Sequence, residues 1–123
     1  MADRAVSRAS LFGLIALVAV VAVVSQWWGR HQTDRLGDDV AALARPGDIE
    51  LVSSDTCAPC LVARNWLQRN EVRFAECSIE RDAACAERYR ASGAPGTPLI
   101  FVRGRAQLGF SPDRLLGALQ RGG

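Results

Sequence analysis

Between Leu11 and Val24 the chain carries no polar side chain: Leu, Phe, Gly, Ile, Ala and Val alone fill the run. A helix that is apolar on every side belongs in lipid, or else is a leader that is removed. Ala9 and Ser10 lead in, and Ser25, Gln26, Trp27 and Trp28 close the run. A helix from Ala9 to Trp28 would span ~30 Å, enough to cross a bilayer core. The paired tryptophans suit the lipid–water interface, where one edge of the ring is wet and the other dry. Val23, Val24 and Ser25 would also make a tolerable cleavage site. The bulky Trp27 and Trp28 just beyond it favour an uncleaved anchor over Leu11–Trp28.

Orientation rests on few charges. Asp3, Arg4 and Arg8 precede the run, and Arg30 and Arg35 follow it. The Arg count barely discriminates, whereas the acidic residues Asp34, Asp38 and Asp39 favour export of the C-terminal side. The expectation is a single-pass membrane protein with its main domain on the extracytoplasmic, periplasmic side.

The chain has 123 residues, leaving room for one small domain beside the anchor. Its net charge of +2 is small and scattered, which excludes a nucleic-acid face. The reading divides the chain into a tail and anchor (1–28), a juxtamembrane linker (29–47) and a domain (48–123). The linker holds only a weak apolar stripe, Val40, Leu43 and Ala44, before Pro46-Gly47 ends it.

Strand and helix signals then alternate. Strands are expected at Ile49–Ser53, Val72–Ile79, Leu99–Val102 and Ala106–Phe110. Helices are expected at Pro59–Arg69, with Asn70 as its stop, at Arg81–Ala91, and after Ser111, with Pro112 in the first turn and Leu115, Leu116 and Leu119 on one side. The order β-α-β-α-β-β-α gives a small mixed sheet covered by helices, an α/β domain.

Cys57-Ala58-Pro59-Cys60 falls where the first strand gives way to the first helix of this domain. The attacking species in thiol–disulfide exchange is a thiolate. A helix N-terminus supplies unpaired N–H groups and a favourable dipole to a negative sulfur. Pro59 has no N–H to lose there, and Cys60 follows one turn on, able to close a disulfide with Cys57. A C-x-x-C pair is also half of a zinc site. Cys77 and Cys85 are too far apart to form a second knuckle, and the lone His31 lies in the linker, so no metal site is expected.

Gly96-Thr97-Pro98 precedes the apolar strand Leu99-Ile100-Phe101-Val102, and Gly109-Phe110-Ser111 precedes the last helix. With the C-x-x-C, these pieces resemble the glutaredoxin branch of the thioredoxin superfamily over Ile49–Leu119. The resemblance implies a thioredoxin-like fold with Cys57 and Cys60 as catalytic thiols. It implies a cis Thr97–Pro98 bond, and a substrate groove shaped by Thr97 and Pro98 beside Ala58 and Pro59. It implies no bound cofactor. Its partners would be protein disulfides or dithiols. Glutathione is the alternative partner, and two departures weigh against it. Phe110 stands where a second glycine often helps hold the tripeptide, and Asp55 stands where a basic residue is usual. A carboxylate there would oppose both a thiolate and an anionic ligand.

Cys77 and Cys85 admit three readings: a structural disulfide, two buried free thiols, or a second redox pair. The function expected is thiol–disulfide exchange with proteins through Cys57–Cys60. A glutathione-dependent glutaredoxin, a redox-inactive binding module and a zinc-stabilised interaction domain are the rivals.

Overall fold

The computed structural model describes residues 7–122, with the backbone alone at Thr33. Asp3 and Arg4, used above for orientation, lie outside the described residues. The chain divides into two compact units, Met1–Thr33 and Asp34–Gly123. The described part of the first is helical and belongs to α1 (Arg8–Leu43), a helix long and apolar enough to cross a membrane. Its large apolar side chains are exposed, Phe12 by 71% and Val23 by 65%.

The second unit is a mixed four-stranded sheet with helices on both faces. It contains β1 (Ile49–Ser53), α2 (Ala58–Arg69), β2 (Ala75–Ser78), α3 (Ala83–Ser92), β3 (Leu99–Val102), β4 (Arg105–Leu108) and α4 (Pro112–Arg121). Strand order is β2-β1-β3-β4, with β1 and β2 parallel and the other pairs antiparallel. Alternation along β1 and β3 sorts the core. Ile49, Leu51, Ile100 and Val102 face one side and pack with Ala63, Trp66 and Leu67 of α2 and Leu115 and Leu119 of α4. Val52 and Leu99 point the other way and meet Cys85 of α3. Each fully buried Leu in the larger cluster contributes roughly 1.5–3 kcal/mol. This is the α/β, thioredoxin-like architecture, with the element order expected of the domain.

The boundaries differ in instructive places. Val40 and Ala44, assigned to the linker, are buried in the main core, while Leu43 stays partly exposed. The weak stripe is thus a packing face, and the compact unit begins at Asp34, ahead of the expected boundary at Gly47. Gly37 makes this approach possible: a Cβ there would come 1.9 Å from Asn70 Oδ1.

Strand β2 starts at Ala75, not Val72. Glu71 turns the chain with a φ of 54°, and the Val72 N–H donates to Leu67 O (3.0 Å), so Val72 enters the core from a loop. Helix α3 starts at Ala83, not Arg81, because the Asp82 carboxylate caps it by accepting from the N–H groups of Ala84 and Cys85. Strand β4 runs over Arg105–Leu108 and stops before Phe110. Gly109, at a φ of 74°, turns the chain there, and the Phe110 ring stacks near Trp66 with centroids 5.4 Å apart.

At the end of the sheet where β1 begins, Arg103 ties three elements together. It occupies the β3–β4 turn with a φ of 48°. Its backbone N–H donates to Asp48 O (2.7 Å), and its guanidinium donates to Leu119 O of α4 (2.9 Å) and to the Asp48 carboxylate (3.2 Å).

Candidate active site

The opposite end of the sheet carries the cysteines. After Ser53 the chain leaves β1, turns through Ser54, Asp55 and Thr56, and enters α2 with Cys57 as N-cap. Cys57 has extended backbone, so its sulfur sits over the first turn and accepts a hydrogen bond from the Cys60 N–H at 3.1 Å. Pro59 stands in that turn, where no N–H is needed. The helix begins at Ala58, one residue before the position expected. Cys57 and Cys60 are joined in a disulfide, with Cα atoms 5.3 Å apart. Cys57 is half-exposed, whereas Cys60 is only 1% exposed. A thiol-bearing partner therefore has access to Cys57 and not to Cys60. On reduction, the backbone N–H and the helix N-terminus favour a thiolate at Cys57.

The sheet register brings the Thr97–Pro98 segment to this same end. Val52 pairs with Leu99 across the antiparallel β1–β3 ladder, so the residues just before β3 lie beside those just after β1. The Thr97–Pro98 bond is cis. Pro98 is buried and its carbonyl accepts from Gly109 N–H at 2.8 Å, while Thr97 stays partly exposed. Ala58 and Pro59 are exposed, as are Leu61 by 51% and Val62 by 63% on the following turn, giving the cysteine loop an apolar rim.

A polar lattice fixes the loop that leads into Cys57, and nothing in the linear sequence announced it. The Asp55 carboxylate accepts from Arg81 Nη2 (2.6 Å) and Ser78 Oγ (3.2 Å). The Glu80 carboxylate accepts from Ser54 Oγ (2.6 Å) and the Asp55 N–H (3.2 Å). Hydrogen bonds from Ser54 and Ser78 hold the Glu80 carboxyl below its ordinary pKa. Asp55 is thus paired with a guanidinium, so its charge opposes Cys57 less than its position in the sequence implies.

Arg64, one turn beyond Cys60, forms a multidentate ion pair with Glu76 on β2. Ser53 Oγ donates to the same carboxylate at 3.0 Å. Arg64 first, and then Ser53, draw the Glu76 pKa below the carboxylate norm despite opposing desolvation. The Phe110 ring packs towards Trp66. Cys77 and Cys85 are joined in a second disulfide that links β2 to α3, with Cα atoms 6.1 Å apart. Among the described residues, no three His, Cys, Asp or Glu side chains gather as a metal site.

With this geometry in place, the Glutaredoxin family model matches residues 49–106, from the start of β1 into β4. Over that segment the chain is similar to glutaredoxins, and its fold is thioredoxin-like. A mutant of the thioredoxin-like protein BC3987 is similar at 27% identity and a TM-score of 0.54, over 60% of this chain and 96% of that one. The unsubstituted form of that protein gives 27% identity and a TM-score of 0.51, over 57% and 97%. The glutaredoxin-like NrdH-redoxin from Escherichia coli has 22% identity and a TM-score of 0.49, over 55% and 88%. No curated protein matches the sequence. At the level of the family, a glutaredoxin domain with its cysteine pair supports thiol–disulfide oxidoreductase chemistry.

Proposed function

We propose that this protein exchanges dithiols and disulfides with protein partners through Cys57 and Cys60, from a membrane anchor and on the extracytoplasmic side. One observation carries the reading: a half-exposed Cys57 sulfur at a helix N-terminus, bonded to the Cys60 N–H, over a buried Cys60. In the oxidised state a partner thiolate attacks Cys57 Sγ and expels the Cys60 thiolate, giving a mixed disulfide. A second partner thiol then attacks the partner sulfur and releases Cys57, so two electrons enter the pair and the partner leaves as a disulfide. Run in reverse, the dithiol reduces a partner disulfide, and Cys60 resolves the intermediate.

Thr97 and Pro98 form one wall of the groove in this reading, and Ala58 and Pro59 the other. Exposed Leu61 and Val62 suit an extended protein segment better than a small hydrophilic tripeptide. The anchor is α1, whose exposed apolar surface calls for lipid.

The test is reduction of insulin by dithiothreitol in the presence of the full chain in detergent. Acceleration that is lost on Cys57→Ser is expected; no acceleration, or an equally active Cys57→Ser form, would end the proposal. A Cys60→Ser form expressed in cells should hold its partner on Cys57. A reporter fused after Gly123 that functions only when exported should be active.

A further inference from the structure

The second disulfide stands apart from this chemistry, yet its two sulfurs are as unequal as those of the first. Cys85 is fully buried beside Val52 and Leu99. Cys77 is partly exposed on the edge strand β2, with its side chain on the α3 face of the sheet. Arg88 Nη2 lies 3.7 Å from Cys77 Sγ and also pairs with Glu50 at 2.7 Å. The Glu50 carboxylate is 4.0 Å from the same sulfur, but its charge is already met by the guanidinium.

We propose that Cys77 and Cys85 form a second thiol-exchange site, at which small thiols and disulfides react through Cys77. The guanidinium beside Cys77 offsets the Glu50 carboxylate, which would otherwise oppose a thiolate there once the pair is reduced. That thiolate attacks a small disulfide R–S–S–R, forms Cys77–S–S–R and releases R–S⁻, which takes a proton. Cys85 then gives up its proton, attacks Cys77 Sγ and displaces the second R–S⁻. The protein loses two electrons, and R–S–S–R becomes two R–SH.

Opening is the reverse, and the asymmetry makes it slow. A small thiolate can reach only Cys77, so the leaving sulfur must be Cys85, whose apolar surroundings solvate a negative charge poorly. The same surroundings oppose the Cys85 thiolate as it attacks, so the pair exchanges slowly in both directions. It can work independently of the turnover of Cys57 and Cys60.

The experiment uses the full chain in detergent with Cys57→Ser and Cys60→Ser, so that only the second pair reacts. The reduced protein is mixed with glutathione disulfide, quenched in acid and mapped by mass. The expected result is closure to the Cys77–Cys85 disulfide. Addition of Cys85→Ser should leave one glutathione on Cys77, and Arg88→Gln should slow its attachment about two- to fivefold, the scale of a partly exposed charge contact. In the opposite direction, reduced glutathione should open the disulfide with native circular dichroism retained. This arm stands even if the Cys85→Ser form fails to fold. Opening only upon unfolding would make the disulfide a structural staple and overturn the proposal, as would attachment to Cys85 or no adduct on a folded Cys85→Ser form.

Discussion

Replacing Gly37 by Ala sets two calculable effects against each other. Gly37 lies inside α1, where Ala is favoured by ~0.8–1.0 kcal/mol. The same methyl would stand 1.9 Å from Asn70 Oδ1, 2.4 Å from its Cγ and 3.0 Å from its Cβ. Such separations are far inside the ~3.5–4.0 Å of ordinary contact. Asn70 has little room to retreat, since its Nδ2 donates to Trp66 O at 2.8 Å and the residue caps α2. Overpacking of this kind costs ~1–3 kcal/mol. Set against the gain in propensity, the net effect of Gly37→Ala is a loss of up to about 2 kcal/mol, or up to about 8–16 °C in Tm for a domain of this size. Thermal unfolding of the full chain in detergent, followed by near-UV circular dichroism, reads this directly. In an Asn70→Gly background, which removes all three opposing atoms, the substitution should become neutral or stabilising. A rise in Tm for Gly37→Ala alone, or an equal loss in both backgrounds, would refute the packing of α1 against α2 described here.

Alkylation of the reduced protein should label Cys57 well before Cys60, because only Cys57 is both accessible and at the helix N-terminus; quantitative mass spectrometry of each site decides it. Stability should fall in acid through Glu76 and Asp48. Arg64 first, then Ser53, depress the Glu76 pKa; the Arg45 N–H and then the Arg103 side chain depress that of Asp48. A pKa lowered on folding stabilises above the unfolded value, so this contribution is present above about pH 4 and is lost as the pH falls below it. Urea midpoints across that range should show the loss, and Glu76→Gln should flatten it. Phe110→Gly should cost about 1–3 kcal/mol through lost packing on Trp66. It should also leave the ratio of glutathionylated-peptide to insulin reduction unchanged; a shift of that ratio towards glutathione would restore Phe110 as a steric gate.

Legibility in the sequence followed the range of the interactions. The C-x-x-C at a strand–helix junction, the Ser111 cap and the apolar strand Leu99–Val102 are local patterns, and each lies where its pattern put it. The docking of Val40 and Ala44 was not legible, because Asp38 and Asp39 interrupt the stripe and the partner surface is assembled from α2 and β1. Val72 read as strand because apolar alternation cannot reveal the left-handed turn at Glu71 that feeds it into the core. At the site, the cysteines and the Thr-Pro step were visible one by one. The offset of Asp55 by Arg81, the Arg64–Glu76–Ser53 network and the guanidinium beside Cys77 join residues distant in the chain. Only the folded sheet reveals them.

The placement of Arg103 divides the domain into a fixed pole and a working pole. At the fixed pole a single side chain rivets the start of β1, the β3–β4 turn and the last turn of α4. The sulfurs of Cys57 and Cys60 sit at the other pole, beyond the end of β1, where the proposed exchange makes and breaks bonds. A substitution at Arg103 should therefore be felt as a softening of the whole scaffold, with the sulfur chemistry itself left intact.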